Sequence, residues 1–125
     1  MRALTALLTL LLVIGCPHPG GVRSGDRRSL ADAMVGDWVD ETGARYRIVR
    51  LHADEPVVTY VVDAVGEPLD LVRQGFEDGR FAFTYRVPTT GFEVTLTVTG
   101  VEEGLVRVHW RNDRGQEGSD TLRPH

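Results

Sequence analysis

Few side chains in this sequence could do chemistry, and they are scattered. Cys16 is the only thiol, and there is no lysine. The serines Ser24, Ser29 and Ser119 stand outside any Gly-x-Ser-x-Gly turn. His18 falls in a Pro/Gly stretch, His52 borders a turn and His125 is the last residue. Only His109 lies in a clear strand pattern, and its expected cross-strand neighbour is Thr95, not a carboxylate. A solvated strand histidine is therefore the favoured reading. The paired acids Asp54-Glu55, Glu77-Asp78 and Glu102-Glu103 sit at turn tips, where they serve solvation. No EF-hand spacing, His-Glu-x-x-His or phosphate-cradling glycine loop occurs. The residues support neither an enzyme nor a cofactor nor a metal site. What remains is an aromatic set: Trp38, Tyr46, Tyr60, Phe81, Phe83, Tyr85, Phe92 and Trp110.

The N-terminus has the layout of a secretory signal: Arg2, then an uncharged apolar run, then a small residue. The run from Ala3 to Gly15 is too short to span a bilayer, and Pro17-His18-Pro19-Gly20-Gly21 ends any helix. Val13-Ile14-Gly15-Cys16 resembles the lipobox of bacterial lipoproteins. The resemblance implies that Cys16 carries a thioether-linked diacylglycerol and becomes the new N-terminus after residues 1–15 are removed. Residues 16–29 then form the lipidated cysteine and a flexible linker, spanning about 20 Å as a coil. Residues 30–125 form the domain. Pro17 after the cysteine favours the outer membrane, by analogy with the enterobacterial sorting rule. The expected setting is the cell envelope, periplasmic or surface-facing.

The formal net charge is −4, and all the acids follow Cys16. That balance argues against a nucleic-acid partner and a polybasic membrane patch. With Cys16 acylated no thiol remains for disulfides, so packing alone must stabilise the domain.

Ser29-Leu30-Ala31-Asp32 has the spacing of a capping box, and Gly36 suits a helix C-terminus, so one or two helical turns are expected between them. Beyond Gly36, runs rich in Val, Thr, Phe and Tyr alternate with seven turn signals, defining eight candidate strands. Every connection is too short for a parallel crossover. The sequence therefore predicts an all-β, up-and-down antiparallel meander, closed or nearly closed into a barrel that removes its edges; the alternative is a two-sheet sandwich. For the clearest hairpin, Pro88-Thr89-Thr90-Gly91 places Val87 opposite Phe92, Tyr85 opposite Val94, Phe83 opposite Leu96 and Arg86 opposite Glu93. The next turn is expected to put Leu96 opposite Val108 and Glu93 opposite Arg111.

Gly36-Asp37-Trp38, opening the first strand after a short helix, resembles the Gly-x-Trp of lipocalins and other calycins. The run to Ile48 looks like the opening hairpin of avidin-type barrels. The resemblance implies that Arg123 packs over the Trp38 ring. Barrels of eight strands are either filled by their own side chains or hold one small ligand. The expected function is a non-catalytic binding module for a small apolar or amphipathic ligand contacted by Trp38, Tyr85 and Trp110. Two alternatives stand beside it. One is a structural or interaction protein with a filled core. The other is an envelope-protein partner on the face bearing Arg80, Arg86, Arg107, His109 and Arg111, where a solvated face with ion pairs is favoured.

Overall fold

The computed structural model describes residues 24–52, 54–102 and 104–125. The signal, Cys16 and the linker as far as residue 23 lie outside the described residues. One helix, α1 (Ser24–Met34), precedes eight antiparallel strands: β1 (Gly36–Val39), β2 (Arg45–His52), β3 (Glu55–Val62), β4 (Asp70–Glu77), β5 (Arg80–Arg86), β6 (Glu93–Glu102), β7 (Leu105–Asn112) and β8 (Glu117–Pro124). They form one sheet in the order β3-β2-β1-β8-β7-β6-β5-β4, which bends into a nearly closed barrel. The meander is as expected, and the two-sheet sandwich is not what forms.

The helix begins at Ser24, inside the stretch expected to be linker, and so Ser29 lies within it and does not cap it. The reason is a buried stripe at helical spacing: Arg27, Leu30, Ala31 and Met34. Arg27 holds the first position by laying its guanidinium 4.2 Å from the Phe76 ring centroid. Ala31 and Met34 are fully buried, and Asp32 pairs with Arg50 of β2. The helix thus stops the barrel end where β2, β4 and β6 finish. Gly36 then turns the chain at φ +142°, a conformation that L side chains rarely adopt. Two residues on, the indole Nε1–H of Trp38 donates to the Met34 carbonyl at 2.7 Å. That bond satisfies one of the carbonyls a helix C-terminus leaves without a partner.

Inward-facing residues fill this end. Ile48, Val58, Phe81, Phe83, Val98, Val106, Val108 and Leu122 form one core with Met34 and Trp38. Phe76 and Phe81 meet edge to face at 5.7 Å, and so do Tyr46 and Phe83 at 5.9 Å.

The β5–β6 register is the expected one: Tyr85 faces Val94, Phe83 faces Leu96, Thr84 faces Thr95 and Arg86 faces Glu93. The β6–β7 register is not. Glu102 pairs with Leu105, Gly104 before it stands at φ +71°, and an extra residue bulges between Val98 and Gly100. Leu96 consequently faces Trp110, and Thr97 faces His109. Over Val94–Val98 the slip from the expected register is two, which keeps those side chains on their own face. The bulge takes up the third residue toward the turn, so the buried pattern survives while the partners change. Glu93 therefore holds Arg86 at 2.7 Å, whereas Arg111 turns to Glu117.

Among the described strands, the wall of the barrel is left unclosed where β3 meets β4. The ladder there is reduced to a bridge between Val62 and Pro68, with the Leu69 amide donating to the Val61 carbonyl at 2.9 Å. Farther along, the Gln74 side chain takes over. Its Oε1 accepts from the Val58 amide at 2.7 Å and its Nε2 donates to the Val58 carbonyl at 2.9 Å. A primary amide offers the same donor and acceptor as a peptide group. Gln74 thus stands in for the backbone bonds that this seam lacks.

Candidate functional site

The barrel end opposite the helix is open, and a cavity of about 210 Å³ lies inside its mouth. Its lining comes from five strands and one turn: Asp40 and Thr42 after β1, Tyr46 of β2, Tyr85 of β5, Val94 and Leu96 of β6, Trp110 of β7 and Asp120 of β8. The period of two places most of them. Trp110 is cross-strand partner to Leu96 and Gly118, and Asp120 to the buried Val108, so all project to the inner face.

Asp40 is held rigidly. Its Oδ1 accepts from the amides of Thr42 and Ala44 and from the Thr42 hydroxyl at 2.7 Å, building the β1–β2 turn. Its Oδ2 accepts from the Tyr46 hydroxyl at 2.6 Å. Burial pushes the Tyr46 phenol far above its ordinary value, and the neighbouring Asp40 carboxylate adds to the shift.

The other polar groups are less occupied. Asp120 Oδ1 accepts from the Thr121 amide at 2.7 Å and the Glu41 amide at 3.3 Å, while Oδ2 has no partner among the described residues. Burial raises the Asp120 carboxyl, and the charges of Asp40 and Glu41 raise it further against the pull of those two amides. Tyr85 is pushed up to about 12, first by burial and then by Asp40 and Asp120. Neither its hydroxyl nor the Trp110 indole Nε1–H bonds to a described residue. The mouth therefore offers two aromatic donors, one carboxylate oxygen and an apolar floor of Val94 and Leu96.

Gly118 makes the Trp110 wall possible. A Cβ there would come within 2.9 Å of Cζ2 and Nε1 of the indole, closer than real Cβ contacts come. The ring lies directly over the β8 backbone because position 118 has no side chain.

Of the three residues expected to contact a ligand, Tyr85 and Trp110 come together in this mouth. Trp38 does not: it is buried at the helix end with its N–H committed to Met34. Arg123 is not over that ring. It is exposed and paired with Val39, one residue out of phase with Trp38, and so lies on the outer face. Gly36 has its expected place between helix and strand. Sequence reasoning missed Asp40 and Asp120 as lining residues. For Asp120 a signal existed, since it falls in two-residue phase with the buried Leu122.

On the outer face, Arg86 pairs with Glu93, Arg107 with Glu102 at 2.9 Å, and His109 with Glu117 at 2.8 Å. Arg80 pairs in register with Glu77, and Arg111 approaches Glu117. Among the described residues no three His, Cys, Asp or Glu side chains gather where they could hold a metal ion. Comparison with known proteins adds nothing to this geometry: no family model, no curated protein and no solved structure matches the chain.

Proposed function

We propose that this chain is a lipid-anchored protein of the bacterial cell envelope whose barrel domain is a non-catalytic binding module, taking one end of a small amphipathic ligand into its open mouth. The observation that carries the binding reading is the polar inventory of the cavity. Tyr85, Trp110 and Asp120 line a space walled by aromatic rings, and the Tyr85 hydroxyl, the Trp110 Nε1–H and one Asp120 oxygen have no protein partner among the described residues. These residues are half-buried at an open mouth, so water reaches their polar groups, and a guest with matching groups would displace that water and take over its hydrogen bonds. The cavity is smaller than the roughly 300–1,000 Å³ of pockets that engulf a ligand, so the guest inserts a head and leaves its remainder outside.

The anchor rests on the Val13-Ile14-Gly15-Cys16 lipobox, and Pro17 favours the outer membrane. Cys16→Ser should release the domain from the membrane fraction or leave an uncleaved precursor; wild-type processing and fractionation of the variant would refute the anchor. For the mouth, the full chain labelled with ¹⁵N is titrated with neutral, cationic and anionic small amphiphiles. The Trp110 indole resonance should move while that of Trp38, held by Met34, stays fixed. If no compound moves Trp110, the binding reading is wrong.

A further inference from the structure

The lining of the mouth also specifies the charge of its guest. Two carboxylates, Asp40 and Asp120, line a cavity to which no arginine or histidine among the described residues contributes. Arg107 lines a shallow hollow on the other side of Asp120, together with Glu41, and is taken by Glu102. Asp40 is fully engaged by its turn and Tyr46, so its charge is fixed in place but its oxygens are occupied. The surfaces offered to a guest are then mostly ring faces and edges, from Tyr46, Tyr85 and Trp110. Aromatic faces and a nearby carboxylate attract a cation without needing directed hydrogen bonds. The two unpartnered donors ask for the opposite feature, an acceptor oxygen. In volume the cavity equals roughly seven waters, which suits a compact head of a few heavy atoms.

We infer that the mouth selects an alkylated ammonium head carrying an acceptor oxygen a few atoms away: the cation sits among Tyr46, Tyr85 and Trp110 beside Asp120, and the oxygen takes the Trp110 or Tyr85 proton. The inference rests on the binding reading above and narrows it. A neutral guest would leave the Asp120 carboxylate without a counter-charge in a partly buried space, beside the charge of Asp40. An anionic guest would add a third.

Choline, its uncharged isostere 3,3-dimethylbutan-1-ol and the anion 3,3-dimethylbutanoate separate these cases, because they share size and shape. Each is titrated into the full chain, with the Trp110 indole resonance as the readout. Choline should bind at least about tenfold more tightly than the alcohol, and the anion weakest. Asp120→Asn keeps an acceptor for the Glu41 and Thr121 amides, so it should fold; its indole spectrum checks that directly. It should weaken choline about tenfold and the alcohol far less, so that the preference for choline is lost. In the wild type, choline affinity should fall as the pH is lowered through the raised Asp120 carboxyl, which faces Asp40, Glu41, Tyr46 and Tyr85 and, across the outer hollow, Arg107, while affinity for the alcohol stays flat. Equal affinity for choline and the alcohol would overturn the inference, as would a choline preference that survives Asp120→Asn. Either result would leave the mouth standing as a site for another class of guest. Silence of Trp110 toward all three and toward the wider panel would remove the binding reading itself.

Discussion

Replacing Gln74 tests whether one side chain fastens the barrel. Gln74→Leu removes both bonds to Val58, of 2.7 and 2.9 Å, while keeping similar bulk. A neutral hydrogen bond contributes about 0.5–1.5 kcal/mol net, and a backbone group left buried without a partner costs about 1–3 kcal/mol. Gln74 itself is exposed, so water can reach part of the seam and the lower end of those ranges applies. The two bonds together then come to about 2 kcal/mol. For a domain of about 100 residues this lowers Tm by roughly 10 °C. Urea denaturation followed by tryptophan fluorescence gives the energy, and amide hydrogen exchange at Val58 gives the location.

Gln74→Glu sharpens the test. Ionised, the carboxylate can still accept from the Val58 amide but faces the Val58 carbonyl with a second acceptor. Protonated, it donates to that carbonyl and restores both bonds. The folded state therefore favours the proton, and the introduced carboxyl titrates above its unfolded value. Stability should be near that of the wild type below the unfolded pKa of about 4.3, and should fall as the pH rises through the folded value. If Gln74→Leu stays within about 0.3 kcal/mol of the wild type with Val58 still protected, the seam is held by something else.

Two further substitutions probe the mouth. Gly118→Ala should push the Trp110 ring off β8; overpacking costs about 1–3 kcal/mol, and red-shifted Trp110 emission with a lowered urea midpoint is expected, whereas unchanged emission would mean that the ring does not lie on the strand. Asp120 has a carboxyl raised above its unfolded value, so the folded state loses stability as the pH rises from that value through the folded one and remains penalised at neutral pH. Asp120→Asn carries no such penalty, so it should melt higher than the wild type at pH 7 and show no advantage near pH 3; a lower Tm at pH 7 would contradict the assigned environment.

Turn chemistry and two-residue alternation make most of the fold legible in the sequence. Phe81, Phe83, Tyr85, Phe92, Val94 and Leu96 pointed to one hairpin register because its loop is bounded by Pro88 and Gly91. The following hairpin misled because Gly100 conceals a bulge and Gly104 permits a tighter turn than the composition of 101–104 suggests. The helix start was hidden for a different reason. An arginine occupies a core-facing position, and Arg27 reads as linker until Phe76 is seen beneath it. The site was only half legible. Aromatic residues mark an interior, but nothing local to Trp38 tells which end of the barrel it faces. Asp40 and Asp120 are carboxylates on the inner face, where binary patterning expects apolar residues.

Those inward acids argue for use more strongly than the rings do. At the helix end the same barrel is filled with Phe81, Phe83, Met34 and Leu122, and even its buried indole donor, that of Trp38, is spent on Met34. An apolar side chain at 120 would have continued that packing, in phase with Leu122 and opposite Val108. Instead the chain places a carboxylate there, removes the side chain at 118 so that an indole can lie beside it, and fixes a second carboxylate at 40 with four hydrogen bonds. Each choice gives up burial or adds repulsion, and proteins carry such local costs chiefly where function requires them. One barrel thus has an end built for stability and an end built at the expense of it. The helix has already closed the first, which leaves the acidic, aromatic mouth as the place where a ligand has something to gain.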